Sequence, residues 1–191
     1  QCLRNQIPCI TDIRNTISES VRAQYEENPY PRWTTVNTGH PRPLVSVVRQ
    51  LFPYLEGLPS HGSEDTSVLV AGCGTGQTAI QAQYRLATKS VLAVDLSLAS
   101  LAFAKRRAQE LNVDTIEFMQ GDILELGDCG RTFDFIEATG VLHHMADPRA
   151  GWQVLRSLLR PGGFMKVALY SEYARRNVAA TRDFIVESGY D

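Results

Sequence analysis

Residues 67–79 read SVLVAGCGTGQTA: an apolar run from Ser67 to Ala71 breaks into glycines at alternate positions, Gly72, Gly74 and Gly76, followed by polar residues. Glycine lacks a Cβ, so such a turn lets backbone amides approach a ligand closely. Three unrelated chemistries use a turn of this kind. A P-loop requires a lysine after the last glycine, and none stands there. The dinucleotide fingerprint requires a third glycine where this chain has Gln77, which disfavours NAD and a hydride-transfer oxidoreductase. The third chemistry depends on what the neighbouring strands carry.

Outward from the turn, short apolar runs alternate with helical patterns. SVLVA (67–71), SVLAVD (90–95), TIEFMQ (115–120), FDFIEAT (133–139) and FMKVALY (164–170) each predict a strand. SLASLAFAKRRAQEL predicts a helix capped by Ser97, with Leu98, Leu101, Ala104, Ala108 and Leu111 inward and Lys105, Arg106 and Arg107 on a solvated face. DPRAGWQVLRSLLRPGG predicts another, with Trp152, Leu155, Leu158 and Leu159 on its inner face and Pro161 and two glycines ending it. Nearly all-apolar strands alternating with helices imply an α/β fold, a doubly wound and mostly parallel sheet covered on both faces. Ligands of such sheets bind at the carboxyl ends of the strands, so the loops after Ala71, Asp95, Gln120 and Thr139 carry the expected site.

The first 62 residues have a different character and are expected to form a helical cap or lid over a core of residues 63–191. From Asp12 to Glu26, Ile13, Ile17, Val21 and Tyr25 recur every fourth residue and predict one narrow apolar helical stripe. NPYPRW stops it: Pro29 and Pro31 bias Asn28 and Tyr30 to extended backbone and place Tyr30 and Trp33 on a stiff loop outside the main core. Pro43 is read as the first residue of a second helix. EGLPSHGSED follows as a linker.

The 191 residues, 43% of them hydrophobic, suffice for a full core. A net charge of −2 excludes the broad basic face that nonspecific nucleic-acid binding needs. Cys2, Cys9, Cys73 and Cys129 form no CxxC pair, so no metal site is expected. No apolar run reaches the roughly 18 residues of a membrane span, and no signal-peptide pattern opens the chain, so a cytoplasmic protein is expected. The chain begins with Gln1 in sequence typical of a chain interior and reads as part of a longer polypeptide.

Together the strand ends settle the third chemistry. AGCGTGQT, then Asp95 at the end of the next strand, Gly121 and Asp122 in MQGDILEL, FDFIEATGVLHHMADP and finally LLRPGG resemble, in order, the motifs of the class I S-adenosylmethionine-dependent methyltransferases. The resemblance runs from Thr66 to Ser171, and QYEENPYPRW resembles a segment that precedes the core in a group of bacterial methyltransferases. It implies a Rossmann-like sheet of strand order 3-2-1-4-5 and S-adenosylmethionine as cofactor. It further implies that Ala71, Gly72, Cys73, Gly74, Thr75 and Gly76 meet the methionine part and that Asp95 accepts hydrogen bonds from the ribose hydroxyls. Leu96 and Ile123 would flank the adenine, Gly121 and Asp122 would contact it, and Thr139 and Gly140 would lie nearest the sulfonium. Tyr25 and Tyr30 would close over the cofactor, with Arg32 or Trp33 toward the acceptor.

The resemblance departs at Ala71, where the family commonly carries an Asp or Glu that steadies the methionine ammonium. Glu137 or the N-terminal tyrosines are the expected substitutes. The alternative is a domain that binds S-adenosylmethionine or S-adenosylhomocysteine without turnover. His143 and His144 read either as a general base or as a helix-start pair, and the second is the expectation. After Tyr170 a single helix through Ala174, Val178, Thr181 and Ile185 leaves no room for the family's last two strands. The edge of the fifth strand is therefore expected to be covered by further chain or by a second subunit. No catalytic residue and no methyl acceptor, small molecule or protein, is identified by the sequence.

Overall fold

The structure is a computed structural model that describes residues 3–58, 65–171 and 173–189. Residues 59–64 of the expected linker, and Cys2, lie outside the described residues. In chain order the elements are α1 (Thr16–Glu27), α2 (Leu44–Leu51), β1 (Thr66–Ala71), α3 (Gln77–Arg85), β2 (Thr88–Asp95), α4 (Leu98–Glu110), β3 (Ile116–Gln120), β4 (Phe133–Thr139), α5 (Pro148–Ser157), β5 (Leu159–Ala168) and α6 (Arg176–Glu187), with short 3-10 turns between them.

The strands form one parallel sheet in the order β3-β2-β1-β4-β5, as the resemblance implies. Registers bring the strand ends level: Ala71 pairs with Val94, Asp95 with Gln120 and Thr139 with Ala168. The order reverses between β1 and β4. That is the point where crossovers leave in opposite directions and open a crevice. Val68, Val70, Val91 and Ala93 face α2, α3 and α4 on one side, while Leu69, Leu92, Val94 and Ile136 face α5 on the other.

Local chemistry starts the helices, at Ser97 as expected and at Asn15 and Asp147 as well. The Asn15 side chain accepts from the amides of Ile17 and Ser18, Ser97 from Ser100, and Asp147 from Arg149 with Pro148 in the first turn. Pro43 stands one position earlier than expected, as the N-cap of α2.

Several expectations are corrected. Trp33 belongs to the core: it is 8% exposed, its Nε1 donates to the Thr75 carbonyl at 3.0 Å, and its ring meets Phe103 edge-on. Arg107 is not on a solvated face, because its guanidinium lies 4.8 Å from the centre of the Trp33 ring and donates to the Thr34 carbonyl. Trp152 is 49% exposed, and α5 buries Gly151 and Leu155 instead. The LRPGG stretch does not extend α5. Parallel pairing with β4 draws Leu159 to Gly163 into β5, which therefore begins five residues before the expected Phe164.

The N-terminal segment grips the sheet at separate points. Backbone hydrogen bonds join Pro8 and Ile10 to Gln120, which adds a short parallel pairing to the outer edge of β3. The Thr75 hydroxyl donates to the Pro31 carbonyl, and Gln77 Nε2 donates to that of Thr35. Helix α1 is fixed to the start of α4: Ser97 Oγ donates to the Tyr25 carbonyl, and the Ala99 amide donates to Glu26.

Candidate functional site

A cavity of about 730 Å³ opens over the carboxyl ends of the strands at the point where the strand order reverses. One half is built by the glycine turn and the ends of β2 and β3. The other lies between α1, the segment after β4 and the segment after β5.

The glycine turn is compact for a reason visible atom by atom. Gly72, Gly74 and Gly76 all have positive φ, and the amides of Gly72 and Cys73 donate to the Val94 carbonyl. A Cβ on Gly72 would come within 2.3 Å of Val141 Cγ2, and one on Gly74 within 2.6 Å of the Tyr30 carbonyl oxygen. Both glycines therefore let neighbouring chain close over the turn. Gly76 serves packing, since its Cβ would sit 2.5 Å from that of Ala104 on α4. The helix that follows presents Gln77 and Thr78 to the cavity at its N-terminus, where unsatisfied amides favour an anion.

Asp95 organises the turn. Its Oδ2 accepts from the Gly74 amide at 2.7 Å and its Oδ1 from the Ser97 amide at 2.9 Å. Loss of hydration pushes its carboxyl above the ordinary aspartate range, and the hydrogen bonds from Ser97 and Gly74 partly offset that. Each oxygen keeps a further lone pair that can accept from a ligand hydroxyl.

Asp122 is the more telling residue. It is 1% exposed; its Oδ1 caps the following turn by accepting from the Leu124 amide at 3.0 Å, and its own amide donates to Thr11 Oγ1. Among the described residues its Oδ2 is buried without a hydrogen-bond partner. An orphaned carboxylate oxygen in a cavity wall costs stability and marks a place where a donor belongs.

Of the residues expected in the site, Tyr25, Tyr30, Gly72, Cys73, Gly74, Asp95, Leu96, Gly121, Asp122, Ile123, Thr139 and Gly140 line the cavity. Ala71, Thr75 and Gly76 lie beneath it. Ala71 is fully buried in the apolar layer under α5, and Thr75 is turned toward Pro31. Glu137, an expected substitute for the carboxylate absent at Ala71, is held by Lys166 Nζ at 2.6 Å and by the Thr139 hydroxyl and does not line the cavity. Arg32 and Trp33 do not line it either.

The other half of the cavity contains groups that sequence reading missed or undervalued. Tyr25 Oη lies 3.1 Å from His144 Nε2 and joins α1 to the segment after β4. Burial, then the nearby Asp95 charge, raises the Tyr25 phenol, whereas burial lowers the His144 imidazole, so both are held neutral near pH 7. The expected helix-start pair is thus divided: His144 faces the cavity, and His143 stacks between His144 and Tyr170 with both ring nitrogens buried and unpartnered. Tyr170 and Arg175 complete this wall, with the guanidinium 3.9 Å from the ring centre. Ile17 and Val21 also line the cavity, so the apolar stripe of α1 faces the ligand space.

Comparison with known proteins gives the chain a family. Residues 68–163 match the family described as the methyltransferase domain. An uncharacterized protein of Synechococcus sp. is 27% identical over 95% of this chain and 44% of its own length. The tRNA 5-carboxymethoxyuridine methyltransferase of Escherichia coli is 33% identical over 67% of this chain and 50% of its own. The chain thus spans about half the length of the curated relatives it matches, or less. In fold it is similar to PKMT2 from Rickettsia typhi in complex with AdoHcy, with a TM-score of 0.64, 21% identity, and coverage of 84% of this chain and 31% of that one.

Proposed function

Because the chain belongs to the methyltransferase domain family, we propose that it is a class I S-adenosylmethionine-dependent methyltransferase whose cofactor lies across the glycine turn, Asp95 and Asp122. The observation that carries this reading is the unpartnered Asp122 Oδ2, an acceptor placed for the exocyclic amine of adenine. Gly121 and Ile123 line the cavity beside it, and Leu96 lies beyond the end of β2.

S-adenosylmethionine supplies a methyl group on a positively charged sulfur, so its leaving group is already activated. The protein's contribution is then alignment and exclusion of water. Asp95 holds the ribose with its remaining lone pairs while its other contacts keep the turn in shape. The first turn of α3 would receive the carboxylate of the methionine part. Thr139 and Gly140, at the end of β4 beside the reversal of strand order, border the reacting centre. Residues of the N-terminal segment act as the lid: α1 covers the cavity with Ile17, Val21 and Tyr25.

Ala71 favours one second reading, a domain that binds the cofactor without turning it over. A buried alanine in the apolar layer offers the methionine ammonium no charge partner. Calorimetric titration with S-adenosylmethionine, S-adenosylhomocysteine and NAD tests the main reading. Saturable binding of the first two is expected, and preference for NAD refutes it. Methyl transfer from radiolabelled cofactor to small-molecule, tRNA and protein fractions separates turnover from binding alone.

A further inference from the structure

The half of the cavity away from the glycine turn carries a guanidinium that no carboxylate pairs with among the described residues. Arg175 lines it, and among the described residues its guanidinium forms no ion pair and rests on the Tyr170 ring at 3.9 Å. That contact orients the flat face of the guanidinium and leaves its N–H fork free to pair with a planar anion. The cavity's acids make other contacts: Asp95 holds the turn and the start of α4, Asp122 caps its own turn with one oxygen, and Asp147 caps α5. The remaining wall is aromatic and apolar, from Ile17 and Val21 to Tyr170. Neutral polar groups, Tyr25 and His144, line the same half.

We propose that this half is the acceptor subsite and that it takes a small acceptor bearing a carboxylate, which Arg175 binds bidentately while the acceptor's nucleophile faces Tyr25 and His144. The proposal rests on the methyltransferase reading for the word acceptor, but the anion site itself does not depend on it. Arg175 is an exposed side chain at the cavity wall, so its hold on a carboxylate comes from the charge-assisted pair itself. Guanidinium geometry matches a carboxylate with two parallel hydrogen bonds. A nucleophilic hydroxyl or amine beside Tyr25 and His144 would form its bond to the methyl carbon as the methyl–sulfur bond breaks, the electron pair staying on the sulfur of the departing S-adenosylhomocysteine. Its proton would pass to the neutral His144 imidazole. The imidazolium then returns that proton to solvent.

The test uses the whole chain saturated with S-adenosylhomocysteine and titrated calorimetrically with benzoate, benzamide and phenyl phosphate. Benzoate is expected to bind saturably and benzamide at least tenfold more weakly. Arg175→Gln is expected to weaken benzoate about tenfold or more, the effect of losing a charge-assisted pair, without changing S-adenosylhomocysteine affinity. Arg182→Gln, the same charge removed from α6 outside the cavity, is expected to leave benzoate binding unchanged. Equal binding of benzoate and benzamide, no benzoate binding, insensitivity to Arg175→Gln, or tighter binding of phenyl phosphate than of benzoate each overturns the proposal. If S-adenosylhomocysteine does not bind, the methyltransferase reading fails by itself, and the same titration of ligand-free protein still reads the Arg175 site.

Discussion

Asp122 and Asp95 look alike in sequence, each an acid at or just past the end of a strand, yet they divide the labour of the site differently. Asp95 spends both oxygens on backbone amides, so alanine there removes the support of the glycine turn together with any ribose contact. Asp122 spends one oxygen and buries the other unpaired. Asp122→Asn therefore isolates the ligand contact: the amide oxygen keeps the cap on Leu124, and the amide nitrogen presents a donor where the adenine amine also donates. S-adenosylhomocysteine affinity is expected to fall about tenfold or more, matching the roughly 1–3 kcal/mol of an unsatisfied buried polar group. Calorimetry reads the affinity, and thermal unfolding of the ligand-free protein is expected to change little.

Helices show which parts of the fold were legible in sequence and why. Strands buried on both faces announce themselves as apolar runs, and the cap at Ser97 is local chemistry, so these elements were readable from short windows. The two tryptophans were misplaced because their fates depend on distant chain. Trp33 is buried because Thr75 and Phe103, far along the sequence, receive it; Trp152 is exposed because α5 turns Leu155 inward. The pairing of Tyr25 with His144 was illegible for the same reason: the two meet only after the sheet has formed. Trp33→Ala is accordingly expected to cost about 3–5 kcal/mol, as for large core aromatics. Trp152→Ala is expected to stay within about 0.5 kcal/mol, both measured by denaturant unfolding.

At the scale of the whole molecule, the histidine pair couples stability to pH. Burial holds both imidazoles below the ordinary histidine value, with the His144 and Arg175 charges adding to the effect at His143. As pH falls, the unfolded chain takes up these protons before the folded one does. The contribution is thus fully present above about pH 6.5 and is lost as pH falls through that value toward the folded-state values. Melting temperature is expected to fall between about pH 7 and pH 5.5. His143→Phe keeps a ring between His144 and Tyr170 and removes two buried unpaired nitrogens, so it is expected to flatten this dependence and to raise stability by about 1 kcal/mol. A steeper dependence in that variant contradicts the assignment. The pairing of Pro8 and Ile10 with Gln120 also sets a timetable for biosynthesis. A ribosome releases the N-terminal segment long before the strand edge, the α4 start and the His144 ring that will hold it, and contacts of such long sequence separation close late. While translation proceeds, that segment waits undocked, and the apolar stripe of α1 reaches its place only after the α/β core behind it has been made.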